Sequence, residues 1–179
     1  PKISEPAPEL KRRGSPADRG AGEGAGSDYP AFLAGKRQLA GEFGFEPLFM
    51  PDQAFGFQRD LIAWSVKKGR AALFADCGMG KTLMQLAWAE NVAAHTGGRV
   101  LILTPLAVSH QTCMEAEKFG IEATRSADGK LDSQIVVTNY ERLHHFAPED
   151  FAGVVCDESS ILKNFDGSTK AAITEFMRT

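Results

Sequence analysis

Ala75-Asp76-Cys77-Gly78-Met79-Gly80-Lys81-Thr82 follows a short apolar run, Ala71-Ala72-Leu73-Phe74, and opens a segment of helical periodicity. The order is strand, glycine-rich turn, helix N-terminus. Glycines let backbone N–H groups turn inward around an anion without Cβ clashes. The helix behind them aims the partial positive charge of its N-terminus at the same point. In such a loop Lys81 reaches the β- and γ-phosphates of a nucleotide, and the Thr82 hydroxyl ligates Mg²⁺. The general pattern, G-x-x-x-x-G-K-[ST], has glycine where this chain has Ala75.

The surroundings of the loop bound the class of protein. The 179 residues suffice for one sizeable core. Hydrophobic residues at 43% and charged residues at 24% are ordinary for a globular domain. A net charge of −3 argues against nucleic-acid binding by the whole surface and leaves room for a local basic groove. No apolar run approaches the roughly 18 residues of a membrane span, and the Pro-, Gly- and charge-rich start is unlike a signal peptide. Cys77, Cys113 and Cys156 are odd in number and far apart. They suggest neither a disulfide framework nor a zinc site, and fit a reducing, cytoplasmic setting.

Taken in order, residues 1–28 carry four prolines, five glycines and only two large aliphatic residues, Ile3 and Leu10. That composition is expected to remain a disordered tail. Residues 29–55 are expected to hold a short helix over 29–39 and an irregular connector. Its Phe43, Phe45, Leu48, Phe49 and Phe55 should pack onto the domain that follows, residues 56–179. There the periodicity predicts helices over 57–68, 81–95, 109–119 and 168–177, and strands over 71–75, 99–104, 121–124, 134–138 and 153–156. Phe57, Leu61 and Trp64, joined by Ile62 and Val66, are the expected buried stripe of the first helix. Trp88, like Trp64, is expected in core or partly buried positions. Alternating strands and helices imply an α/β fold, an open parallel sheet with helices on both faces. Ligands of such sheets bind at the carboxyl ends of the strands. The glycine loop, Thr104-Pro105, Thr138–Tyr140 and Asp157-Glu158 should all meet on that rim.

Asp157-Glu158 ends the apolar strand Gly153-Val154-Val155-Cys156. A carboxylate delivered there can ligate Mg²⁺ opposite Thr82, and a second can orient and deprotonate water. Asp157 is the expected metal ligand and Glu158 the expected catalytic base.

With these motifs in this order, the chain resembles the first RecA-like domain of a superfamily 2 helicase, a P-loop NTPase. The likeness is closest to the Snf-type, DEAD/DEAH-box-like DNA translocases, and among them to those of phages and prophages. It runs from about Phe55 to Thr179. Ala75 is normal in that superfamily (A-x-x-G-x-G-K-T), and Asp76–Thr82 is similar to its D-E-M-G-L-G-K-T. Phe57-Gln58 resembles the upstream glutamine motif, which implies that Gln58 pairs with the adenine edge. Cys77, Gly78, Met79, Gly80, Lys81 and Thr82 are thereby implied to bind ATP, with Lys81 and Glu158 catalytic and Thr82 and Asp157 holding Mg²⁺. Leu103-Thr104-Pro105-Leu106 resembles motif Ia and Thr138-Asn139-Tyr140-Glu141 motif Ib, which makes Thr104, Pro105, Asn139 and Tyr140 the implied DNA contacts. Asp157-Glu158-Ser159-Ser160-Ile161-Leu162-Lys163-Asn164 resembles D-E-A-H-R-I-K-N, departing from it at Ser159-Ser160. The resemblance implies DNA as partner, duplex over single strand, in a bacterial or phage-infected cytoplasm. It also implies that a stretch ending at Thr179 stops before motif III and lacks the second RecA-like domain. ATP hydrolysis would then require that second lobe. The alternative is a non-catalytic nucleotide- or DNA-binding module acting through partners.

Overall fold

The computed structural model describes residue 41, residues 43–158 and residues 167–178. The expectations for the tail, for the 29–39 helix and for Ser159–Asn164 lie outside these. By contacts the chain divides into two units, 1–41 and 42–179, and all that follows concerns the second.

Four strands form one sheet: β1 (Arg99–Thr104), β2 (Ala123–Arg125), β3 (Ile135–Asn139) and β4 (Phe151–Cys156). Their order is β2-β3-β1-β4 and every pairing is parallel. β1 is buried from Val100 to Thr104, and β3 along its whole length. Within them Val100–Leu103 and Ile135–Val137 are continuous apolar runs, as expected of strands covered on both faces. Alternation sorts their side chains. Val100, Ile102, Ile135 and Val137 face one way, into a core with Leu86, Ala89, Val92 and Ala93. Leu101, Leu103 and Val136 face the other, against Tyr140, Leu143, Phe146, Ile173 and Phe176.

The helices supply those two covers. α1 (Gly56–Lys68) packs on α2 (Lys81–Thr96), α2 and α3 (Ser109–Lys118) pack on one sheet face, and α4 (Gly167–Phe176) covers the other beside a 3-10 turn over Tyr140–His145. α2 packs on β4 at Gly153, where an added Cβ would lie 3.1 Å from both Trp88 and Val92. A side chain there would push helix and strand apart.

Three sequence expectations are corrected. Residues 71–76 form no strand. The two edges of the sheet are β2 and β4, and neither pairs with 71–76. Apolarity alone cannot make a strand without a hydrogen-bonding partner. Leu73 and Ala75 pack against the α1–α2 cluster, while Phe74 is 97% exposed. Second, the buried stripe of α1 is Gln58, Ile62, Ser65 and Val66, with Phe57 and Trp64 more than two-fifths exposed. The helix is rotated from the apolar estimate because both buried polar residues have partners. Ser65 Oγ donates to Ile62 O at 2.9 Å, and Gln58 is bonded as described below. Third, of the five connector side chains expected to pack, Phe45 and Phe49 do so, joined by Met50 and Ala54, while Phe43, Leu48 and Phe55 are exposed.

The connector is nonetheless built into the unit. Phe43, Gly44 and Phe45 donate backbone N–H groups to Lys68 O, Lys67 O and Val66 O. These satisfy carbonyls of the last turn of α1, where Val66 O also accepts from the Gly69 N–H. Asn91 of α2, with no exposed surface, reaches the same connector. Its Oδ1 accepts from Leu48 N at 2.6 Å and Phe49 N at 2.8 Å, and its Nδ2 donates to Phe49 O at 2.8 Å and Ala87 O at 2.7 Å. The Phe45 ring stacks on His95, at the end of α2, with centroids 3.8 Å apart.

Candidate nucleotide-binding site

The glycine loop joins 71–76 to α2. Gly78 and Gly80 both have positive φ, 82° and 73°, the left-handed region that glycine enters at no steric cost. Met79 N–H closes a turn onto Asp76 O, and α2 starts at Lys81 with Gly80 as its N-cap. Lys81 Nζ donates to Ala75 O at 3.1 Å, so the ammonium lies back across the mouth of the loop. The loop surface is open: Asp76, Cys77, Gly78 and Met79 are all exposed.

Gln58 braces the loop from behind. Its Oε1 accepts from Phe55 N at 2.9 Å, an amide reaching back to the backbone ahead of its own helix. Its Nε2 donates to Met79 O at 2.9 Å. Gln58 is 4% exposed, and both ends of its amide are engaged within the chain. A Cβ at Gly80 would run into that same nitrogen. Gly80→Ala is accordingly expected to cost about 1–2 kcal/mol in backbone strain alone, and to detach Gln58 from Met79. Urea unfolding together with nucleotide titration checks this. A variant as stable as the parent would show that the Gln58 brace gives way freely.

Across the loop, β4 runs directly into Asp157. Its N–H donates to Leu103 O at 2.8 Å, extending the β1–β4 ladder by one rung. Its Oδ1 accepts from Gln85 Nε2 at 2.7 Å. Gln85 lies three residues after Thr82 on α2, hence on the same helical face. The carboxylate of β4 is thus held beside the first turn of the helix that the loop introduces. Glu158 follows, exposed, with φ of 51°, the positive φ of a non-glycine residue. Such backbone is uncommon and concentrates at functional sites.

Tyr140 reaches Asp157 from the other side. It is 2% exposed, and its hydroxyl donates to Asp157 O at 2.6 Å. Burial, reinforced by the neighbouring Cys156, Asp157 and Glu158, pushes that hydroxyl far above the ordinary tyrosine range and keeps it a donor. Burial likewise raises the Cys156 thiol.

The residues expected to touch DNA are turned to internal work here. Thr104 and Asn139 are buried; Thr104 Oγ1 donates to Thr138 O at 3.3 Å and Asn139 Nδ2 to Pro105 O at 3.3 Å. With Tyr140 they lash the carboxyl ends of β1, β3 and β4 together. Pro105 is half-buried, and beside it Leu106 is exposed. Sequence reading missed Gln85 and Asn91. For Gln85 the signal is an amide one helical turn beyond the loop threonine; for Asn91, an amide on the otherwise apolar inner face of α2.

The donors suit Mg²⁺, since a threonine hydroxyl and a carboxylate are hard oxygen ligands. Among the described residues no three His, Cys, Asp or Glu side chains converge on a common point. No helix among the described residues is long and apolar enough to cross a membrane.

The fold is an α/β fold, a parallel sheet with helices on both faces, of the RecA-like kind. The chain superimposes on the structure of the UvsW helicase from bacteriophage T4 with a TM-score of 0.60 and 16% sequence identity. The match covers 79% of this chain and 54% of that one, so the chain spans about half the length of that helicase chain. Comparison with protein-family models and with curated protein sequences returns no match.

Proposed function

We propose that this chain is the ATP-binding motor lobe of a DNA-dependent ATPase, a helicase or duplex translocase of the phage Snf-like type. The observation that carries this is the Gln85–Asp157 bond. It sets a strand-end carboxylate beside the helix that follows an A-x-x-G-x-G-K-T loop. ATP would lie with its phosphates against the loop N–H groups and Lys81, and Thr82 and Asp157 would hold Mg²⁺. When bound, the ion supplies charge neutralisation between the β- and γ-phosphates. Glu158 would take the proton of the attacking water as oxygen bonds to the γ-phosphorus and the β–γ bridging oxygen leaves with ADP. Turnover would also draw on a second RecA-like lobe contributing an arginine that stabilises the transition-state charge. DNA would run along the rim formed by Thr104-Pro105 and Asn139-Tyr140, with neighbouring exposed groups making the contacts.

Calorimetric titration with ATP and Mg²⁺ tests the reading. Saturable binding is expected. Lys81→Ala should weaken it by roughly ten- to a hundredfold, the worth of a charge-assisted hydrogen bond, with an unchanged melting curve. Absence of binding by the parent protein would overturn the proposal. Binding in full, with no DNA-stimulated hydrolysis even when a second lobe is present, would favour a non-catalytic nucleotide-binding module.

A further inference from the structure

Tyr140 does more than fill the core beneath the strand ends. Three bonds converge on Asp157 from three elements: Leu103 O of β1 takes its N–H, Gln85 of α2 holds its carboxylate, and Tyr140 donates to its carbonyl. The carbonyl is the informative one. It belongs to the peptide group that joins Asp157 to Glu158, so its direction fixes the plane from which Glu158 departs. Glu158 then leaves that plane with a φ of 51°. A glutamate seldom takes this conformation unless its surroundings impose it. The hydroxyl of a tyrosine 2% exposed, donating at 2.6 Å, is a rigid means of imposing it.

We propose that Tyr140 is a positioning residue. Its hydroxyl holds the Asp157–Glu158 peptide so that Glu158 stays in the left-handed conformation and its carboxylate points where a base is needed. The inference rests on the assignment of Glu158 as base, but the backbone it invokes can be measured without turnover. Tyr140 also directly follows Asn139, whose amide meets Pro105 on the proposed DNA rim. Movement of that rim would therefore be transmitted to the base through one hydroxyl.

Tyr140→Phe keeps the ring and removes the hydroxyl, which also meets the Cys156 thiol. In the isotopically labelled protein, the ¹³Cα and carbonyl shifts of Asp157 and Glu158 report the peptide plane and the left-handed φ. Tyr140→Phe is expected to move both toward the values of an extended or averaging residue. Resonances of the opposite core, around Ala93 and Ile102, should stay in place. Unchanged Asp157 and Glu158 shifts in Tyr140→Phe would overturn the inference, whatever the ATPase rate. In a form that hydrolyses ATP, the same change should lower kcat about tenfold while KM stays within twofold. Equal loss in kcat and gain in KM would mark a general structural defect and overturn it as well. Failure of the parent protein to bind ATP would instead sink the function proposed above and leave the shift comparison to decide the role of Tyr140. Should Tyr140→Phe fold poorly, Gln85→Ala serves as the second variant. It frees the Asp157 carboxylate but not the peptide plane, so the Glu158 shifts are expected to hold. Glu158 shifts that move in Gln85→Ala would transfer the positioning role to the helix and refute the proposal.

Discussion

Asn91→Ala should destabilise the protein by about 2–4 kcal/mol, the cost of leaving several buried or half-buried backbone groups without their partner. The side chain uses all of its hydrogen-bonding capacity. Two N–H groups, from Leu48 and Phe49, fall on its oxygen, and its nitrogen serves Phe49 O and Ala87 O. Water can reach part of the Leu48–Phe49 segment, which keeps the loss below the sum of fully buried orphans. The effect should exceed that of shortening a typical half-buried apolar residue, because alanine removes every side-chain hydrogen bond described between the connector and α2. Asn91→Asp should also destabilise, since it keeps the acceptor but loses the donor and buries a charge. Urea unfolding followed by Trp64 and Trp88 fluorescence measures both. A loss under 1 kcal/mol for Asn91→Ala would mean that the connector is held by Phe45 and Phe49 packing alone.

Glu158→Gln is expected to reduce ATP turnover by roughly 10²–10⁴-fold, the usual contribution of a positioned general base. The change is nearly isosteric, and glutamine can occupy the same left-handed backbone at similar cost. ATP and Mg²⁺ affinity should therefore persist, since Asp157, Lys81 and Thr82 are untouched. The pairing of intact binding with lost turnover separates this variant from Lys81→Ala, where binding itself weakens. Radiolabelled phosphate release under single-turnover conditions, beside equilibrium titration, gives both quantities. Turnover surviving in Glu158→Gln would assign proton transfer to another group.

Much of the fold could be read from local pattern. Val100–Leu103 and Ile135–Val137 are apolar throughout because they lie in the middle of a sheet covered on both sides, and burial of that kind leaves no alternation to misread. The left-handed glycines of the loop are likewise legible, since their residue type is the conformation's own signature. What escaped were properties that depend on distant partners. Gln85 meets a carboxylate 72 residues away, and Asn91 a connector 42 and 43 residues before it. No window along the chain contains both halves of either bond. Gln58 and Ser65 misled the estimate of the α1 stripe for the same reason: apolar counting ranks a polar side chain outward until its partner is known. The 71–76 segment failed in the opposite direction. Its residues suit a strand, but strand formation is a property of two segments. Tyr140 was legible as part of a motif and not as a donor to Asp157, because the motif resemblance carries position without orientation.

The bonds from Phe43, Gly44 and Phe45 to the end of α1 also bear on where the molecule can be cut. Residues 43–55 look like a linker by composition, yet their backbone donors are spent on the last turn of a helix and on Asn91. A protease needs a stretch of backbone that can leave its surroundings and enter an extended cleft. This stretch can do so only by uncapping α1 and emptying the amide pocket of α2 together. Shortening the chain to Phe55 would therefore trim away part of the core, and a boundary chosen to preserve the domain belongs ahead of Phe43.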